Sequence, residues 1–494
     1  METKLYTPCK CENSDFNFLF CYPAVNSFAL SSLGYLWLLK EAEEISGVRV
    51  EKVTTDSEKN AINPKDVDLV AFSMSFDFDF LGVLKILEKY GFPFKSAERK
   101  DDAPLIFAGG IAVSANPEPY KDIFDFFIIG DGEGVNAEVI NIVRKLKGKS
   151  KKEILSELSL IEGVYVPSLK QKKVKKLTKK LDNVIYSTIL SNDAYFKNTF
   201  VIEIERGCTN CCKFCLASYM NLPIRHTDFE NLKNVIDLGL KYTNKIAFLG
   251  AQVSAHPQFN EICAYMKEKH ATNPAIEMNF SSLRVDAVTP KVIETLVKMG
   301  QKNITLAVEA GSERLRKFIN KNVTEAQIFS ALKIIKEQGL KGVKIYGMIG
   351  IPTETDEDIE ALVDLGKRIK KEFSPLDISF GISTFVPKAH TPFQRFGHEN
   401  IKTLEKKSNY ITKEFKKSGI NVSITSAKWD YWQAVISRGD GNLGQFLIDT
   451  YKLGGNLGAF KKSAKENNIN TDYFACAHWH ENEKLPWDFI DFML

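Results

Sequence analysis

Between residues 201 and 386, six short apolar runs alternate with helical patterns, and no other feature restricts the fold of this 494-residue chain so severely. The runs are VIEIE (201–205), KIAFL (245–249), IEMNF (276–280), ITLAV (304–308), VKIYGMI (343–349) and ISFGISTFV (378–386). Their β-branched and aromatic content and their flanking turn formers predict strands. The helices between them carry their own start and stop signals. Thr289 with Pro290 opens one that presents Ile293, Leu296 and Val297 and stops at Gly300. Thr324 with Gln327 forms a capping box before Ile328, Leu332 and Ile335, and Thr355 with Asp358 opens a third helix before Ile359, Leu362 and Val363. Such alternation predicts parallel strands with right-handed crossovers, closed or partly closed as a (β/α)6 barrel of TIM type whose site lies at the carboxyl ends of its strands.

The first of these strands runs straight into ERGCTNCCKFCLA (205–217), where Cys208, Cys212 and Cys215 stand in Cys-x3-Cys-x2-Cys order. Three thiolates hold three irons of a 4Fe-4S cube and leave the fourth open to an outside ligand, the arrangement of a cluster that does chemistry. A structural zinc site would need a further Cys/His pair at matching spacing, and the next cysteine, Cys263, stands alone in a helical pattern. Cys211 is a bystander in the loop.

Residues 14–135 form a second α/β block, with strand patterns FNFLFCY (16–22), VRVEKV (48–53), DLVAFSM (68–74), PLIFAGG (104–110) and DFFIIGDGE (125–133). Their ends are small or turn residues: Ser73 and Ser75, then Gly109 and Gly110, then Gly130 through Glu133. Small residues at the carboxyl ends of an open doubly wound sheet make a ligand crevice, although ordinary turn chemistry would read the same way.

The cysteine loop resembles that of the radical S-adenosylmethionine (radical SAM) superfamily. The resemblance implies that the open iron binds the amino and carboxylate groups of SAM, whose reductive cleavage yields a 5′-deoxyadenosyl radical. It implies that Phe214, before the third cysteine, lies along the adenine. The superfamily's core fold is also a six-stranded partial barrel. The first block resembles the cobalamin-binding-like domain that precedes many radical SAM cores. Further stretches carry the likeness from residue 16 to 400 and beyond: Tyr22-Pro23, Ser31-Ser32-Leu33-Gly34, Gly163-Val164-Tyr165-Val166-Pro167, Phe385 through Phe393, and Leu485-Pro486-Trp487-Asp488. Two departures stand out. Gly250-Ala251-Gln252 replaces the usual Gly-Gly-Glu, so backbone carbonyls or Gln252 must hold the methionine amine. The Asp-x-His-x-x-Gly cobalt-ligand motif is absent, and no histidine precedes His226.

At the remaining strand ends, Ser281-Ser282-Leu283-Arg284 offers hydroxyls and a guanidinium for a carboxylate or ribose. Glu309 is placed to accept ribose hydroxyls, and Gly350 to let the backbone approach the adenine. Candidate SAM contacts are therefore Phe214, Gln252, Ser282, Arg284, Glu309 and Gly350. Candidate cobalamin contacts are Ser73, Ser75, Gly109, Gly110, Gly130 and Glu133.

The expected organisation is a cobalamin-binding-like doubly wound domain (1–140), a linker with lysine-rich runs (141–195), the barrel core (196–400) and a mainly helical lid or accessory segment (401–494). An apolar fraction of 44% and a net charge of +4 point to no particular partner. No apolar run approaches the roughly 18 residues of a membrane span. METKLYTPCK lacks a signal-peptide core, so the cytoplasm is the expected compartment. Cys9, Cys11 and Cys21 are a poor match to the widely spaced second cluster of methylthiotransferases. The reading is a radical SAM enzyme that acts on an unactivated C–H bond, with cobalamin-dependent methyl transfer where cobalamin is present and an external donor of flavodoxin or ferredoxin type. Two alternatives stay open: a cobalamin-free radical modification with RNA as candidate substrate, suggested by the lysine runs, and a non-catalytic iron–sulfur scaffold.

Overall fold

A computed structural model describes residues 2–9, 14–58, 61–280 and 282–492; Cys11 and Ser281 lie outside them. The first domain is a six-stranded sheet built from β1 (Phe16–Tyr22), β2 (Val48–Thr54), β3 (Leu69–Ser73), β4 (Leu105–Gly109), β5 (Phe126–Ile128) and β6 (Val164–Tyr165), in the order β2-β1-β3-β4-β5-β6. All neighbours are parallel except β5 and β6. Helices cover both faces, which is why the strands read as nearly continuous apolar runs. Phe16, Phe18 and Phe20 of β1 join the core under helices Leu33–Glu43 and Val135–Lys145, while Leu19 and Cys21 face helix Phe80–Tyr90.

Residues 141–195 are more than a linker. Val164 and Tyr165 supply β6, and Ile154, Leu155 and Leu158 are buried in the core of the first domain. Val174–Lys175 pairs with Ile490–Asp491, and Ile189–Ser191 pairs with Glu2–Lys4, so the segment ties both chain ends to the body. The lysine runs hid this because their apolar positions are isolated between charges.

The second domain holds β7 (Phe200–Glu203), β8 (Lys245–Leu249), β9 (Glu277–Phe280), β10 (Asn303–Glu309), β11 (Gly342–Ile349), β12 (Asp377–Thr384) and β13 (Asn421–Ile424). β7-β8-β9 and β10-β11-β12-β13 are two parallel sheets, joined by a bridge between Leu283 and Leu306. All three helices with sequence start signals are present, with Thr289, Thr324 and Thr355 as their N-caps. The barrel extends past residue 400: helix Ile401–Lys417 is one more crossover, and β13 a seventh parallel strand on β12. The β13 pattern, NVSI, is too short and polar to signal a strand by itself.

Along these strands the alternation is sharp. Ile304, Leu306 and Val308 of β10, Val343 and Ile345 of β11, and Ile378, Phe380 and Ile382 of β12 are buried against the helices. The intervening positions, including Thr305, Ala307, Glu309, Lys344, Tyr346, Ser379, Gly381 and Ser383, are half-buried or exposed on the concave face. A closed TIM barrel packs its interior with branched aliphatics. This interior is polar, small and open.

The C-terminal segment packs on the first domain and on the loop after β12, where Trp487 Nε1–H donates to Gln394 Oε1 at 2.8 Å. Trp432 and Phe460, with ring centroids 5.1 Å apart, and Phe446 meet Phe78 and Phe80 beside helix Phe80–Tyr90. Among the described residues, none after Thr425 lines either cavity described below. No helix among the described residues is long and apolar enough to cross a membrane.

Candidate active site and adjoining cavity

The cysteine loop begins where β7 ends. Gly207 has φ +101°, and a Cβ there would lie 2.6 Å from the Asn221 carbonyl oxygen, so only glycine lets the chain turn here. The loop is then pinned from several sides. Asn320 donates through Nδ2 to the carbonyls of Asn210 (2.8 Å) and Cys211 (3.2 Å), and the Tyr219 hydroxyl donates to the Cys211 carbonyl at 2.8 Å. The Lys213 N–H donates to Ile319 O at 3.0 Å, and its carbonyl accepts from the Phe393 N–H at 3.2 Å. Cys215 caps helix Leu216–Met220.

Cys208 and Cys212 are buried and Cys215 is half-buried, all as free thiols. Burial pushes the Cys212 thiol up to about 11, against the opposing pull of the nearby Lys321 ammonium. Among the described residues no three His, Cys, Asp or Glu side chains form a group fit for a metal ion. Thiolates that each bind a separate corner of a cube need no such convergence. The donor set, three thiols on one pinned loop with a cation at its back, fits a cube with one open iron.

The predicted SAM contacts fall as follows. Gln252 Oε1 is 3.9 Å from Cys208 Sγ and accepts a hydrogen bond from the Asn210 amide. Arg284 holds Asp286 with two 2.9 Å bonds and faces Cys212 and Cys208 electrostatically. Glu309, at φ +70°, pairs with Lys321 at 3.1 Å. Phe214 packs beside Met348, Ala310 and Phe385, and with Glu309 it lines a cavity of about 460 Å³ on the concave face of the barrel. Ser282 is half-buried just past β9. Gly350 follows β11 at φ +73°. A Cβ there would lie 2.8 Å from Leu404 Cδ2 and 3.3 Å from Glu399 Cβ, so the glycine also serves packing against the crossover helix.

Glu205 was missed by sequence reasoning, which took it as the end of a strand. It is 1% exposed, accepts the Gln252 N–H at 2.6 Å, and burial pushes its carboxyl up to about 7. Its Oε2 has no hydrogen-bond partner, with His226 Nδ1 at 3.8 Å.

All six candidate cobalamin contacts line one cavity of about 360 Å³ at the carboxyl ends of β1, β3, β4 and β5. Its far wall comes from the barrel: Glu203, Arg206, Met220, Asn221 and Leu249. Arg206, two residues before Cys208, meets Glu203 (2.6 Å), Glu133 (2.7 Å) and Asp131 (2.9 Å), and Arg225 joins Asp131 at 2.5 Å. Two polar atoms of the lining residues are buried and without partners, Asn136 Nδ2 and Glu133 Oε2. An amide donor and a carboxylate acceptor left unsatisfied there suit a ligand rimmed by amides, as cobalamin is. No histidine lines the cavity. Sequence could not reveal Asn136, which sits in the first turn of a helix with no mark to distinguish it.

The comparisons with known proteins agree with this architecture. Residues 36–167 match the family model for the N-terminal region of radical SAM proteins, and residues 202–366 match that of the radical SAM superfamily. An uncharacterised protein of Methanocaldococcus jannaschii is 34% identical over 390 residues, covering 78% of this chain and 80% of that protein. A threonylcarbamoyladenosine tRNA methylthiotransferase of Aquifex aeolicus is 19% identical, covering 67% and 78%. Among solved structures, the cobalamin-dependent SAM radical enzyme OxsB with aqua-cobalamin bound aligns over 95% of this chain and 72% of its own, with a TM-score of 0.58 and 14% identity. The radical SAM methyltransferase TsrM from Kitasatospora setae, with cobalamin and a [4Fe-4S] cluster bound, aligns over 79% and 75%, with a TM-score of 0.53 and 13% identity. The chain belongs to the radical SAM superfamily. It is a radical SAM enzyme, of a family that uses a 4Fe-4S cluster and SAM and needs an electron donor.

Proposed function

We propose that this enzyme is cobalamin-dependent and alkylates an unactivated carbon, methyl transfer being the simplest case. The observation that carries the reading is the shared wall: the cavity at the doubly wound strand ends is closed by Arg206 and Met220, which flank the cysteine loop in sequence. When bound, cobalamin supplies a transferable methyl group, as the cluster and SAM supply hydrogen abstraction. The chain's own part is binding, orientation and exclusion of water. Cys208, Cys212 and Cys215 would hold the cluster. Gln252, Arg284, Glu309 and Phe214 would offer SAM an amide, a guanidinium, a carboxylate and a ring. Asn136, Glu133, Ser73, Ser75 and the glycine turns of β4 and β5 would hold the corrin amides. Two solved structures of similar fold, OxsB and TsrM, were determined with cobalamin bound, which supports the reading.

An RNA substrate draws support from the tRNA-modifying relatives. The lysine runs add little to it. Lys175 pairs with Glu162 at 2.8 Å, Lys151 with Asp125 at 2.5 Å, and Lys176 is buried against Thr178 at 2.7 Å.

Anaerobic reconstitution with iron, sulfide and hydroxocobalamin, followed by desalting, tests the proposal. Stoichiometric cobalamin in the visible spectrum, together with 5′-deoxyadenosine from SAM and a reductant, is the expected result. SAM cleavage without retained cobalamin would leave a cobalamin-free radical enzyme.

A further inference from the structure

The radical chemistry is established by family, but the substrate is not, and the barrel interior speaks to it. The 460 Å³ cavity begins at Phe214 and Glu309, beside the cysteine loop, and continues down the concave face to Lys344 and Tyr346 of β11 and the hydroxyls of Ser383 and Ser423. The cavity's carboxylate, Glu309, is already neutralised by Lys321 at 3.1 Å. Lys344 has no carboxylate within ion-pair distance among the described residues; its ammonium lies 5.3 Å from the centroid of the Tyr346 ring. Gly381 on the neighbouring strand leaves the room these two side chains use, since a Cβ there would lie 2.8 Å from Lys344 Cε and 3.2 Å from the Tyr346 ring. An uncompensated cation, a ring and two hydroxyls therefore line a chamber that reaches up to Phe214 beside the cysteine loop.

We infer that the barrel interior binds a substrate carrying an anionic group, a carboxylate or a phosphate, which Lys344 pairs while the Tyr346 ring covers the adjoining carbon skeleton. Charge complementarity selects the class: a cation without a protein partner favours an anion from solution, and a neighbouring aromatic face favours carbon next to that anion. The inference rests on the radical SAM reading of the site but makes a separate demand on it.

The probes are benzoate and phenyl phosphate, with benzamide as the neutral control, titrated calorimetrically into the reconstituted enzyme. Saturable binding of at least one anion and none of benzamide is expected. K344Q should weaken that binding by about tenfold or more, whereas K344R, which keeps the charge, should stay within about threefold. Preference for phenyl phosphate would identify a phosphate ester as the natural group, and preference for benzoate a carboxylate. Equal binding of benzamide, or affinity unchanged in K344Q, would overturn the inference. Measuring 5′-deoxyadenosine formation on the same preparation separates the two readings, because enzyme that cleaves SAM but binds neither anion refutes the substrate class and leaves the radical chemistry standing.

Discussion

Arg206 Nη2 lies 2.7 Å from Glu133 Oε1, so a residue two positions before Cys208 is ion-paired to the wall of the cavity in the other domain. Glu203 and Asp131 complete the clasp at 2.6 and 2.9 Å, all with little exposure. The three carboxylates together hold the Arg206 guanidinium firmly in its charged form. Removing Arg206 leaves Glu203 and Glu133 without a counter-charge, while Asp131 keeps Arg225. R206A should therefore lose about 3 kcal/mol of stability. It should also loosen the cysteine loop, giving a broadened cluster EPR signal and a lower melting temperature. R206A that melts like the parent protein would show that the two domains are not joined through this residue.

The three cysteines and their neighbour make a simple contrast. C208A, C212A and C215A should each abolish the broad visible absorbance of the reconstituted cluster. C211A should retain it, because Cys211, at φ +44°, directs its thiol to within 3.8 Å of the Cys208 carbonyl. Iron and sulfide content per chain decides the matter; cluster loss in C211A would make that thiol a ligand.

Glu205 gives the fold a pH dependence. Burial raises its carboxyl from 4.5 to about 7, so the folded state favours the protonated form. Its stabilising contribution is full below pH 4.5 and falls as pH rises through 7. E205Q keeps an acceptor for the Gln252 N–H and removes the charge, so its advantage over the parent should grow from pH 5 to pH 8, to at most about 3 kcal/mol. Chemical denaturation at the two pH values measures it; a constant difference between the proteins would refute the assignment.

Gly350 separates packing from SAM binding. G350A places a methyl group 2.8 Å from Leu404 in a residue at φ +73°, and should cost about 1–3 kcal/mol. SAM affinity of the folded fraction should hardly change. A large loss of affinity with normal stability would return the residue to the adenine site.

Much of this was legible in the chain because its signals are local. Capping boxes at Thr324 and Thr355 set helix starts, and β8 appears where its five-residue run stands. Small residues after β3, β4 and β5 marked the cavity before its geometry was known. What stayed hidden depends on contacts across the chain. β6 and β13 are short strands completed by distant neighbours, and Lys321 reaches Glu309 from beyond the intervening helix. The C-terminal aromatics gave no clue to which surface they would cover, since burial alone does not name a partner. Gly350 adds a contact the sequence did not show: a glycine at the expected strand end that also packs against a helix the periodicity had assigned to another domain.

Asn136 offers the sharpest test of the cavity. Its Nδ2 is buried without a hydrogen-bond partner, and an unsatisfied buried donor costs about 1–3 kcal/mol. Such an atom calls for a partner, and a ligand in the cavity would supply one. N136L should therefore stabilise the cobalamin-free protein, by up to about 1 kcal/mol after allowing for imperfect packing. The same change should reduce cobalamin retention by about tenfold, because the donor meant for the ligand is gone. Thermal melts without cobalamin and equilibrium dialysis with hydroxocobalamin measure the two effects on one preparation. Opposite signs in the two measurements mark a residue shaped by its ligand. A destabilised N136L that binds cobalamin as well as the parent would make Asn136 part of the scaffold and remove the strongest internal argument for a ligand in this cavity.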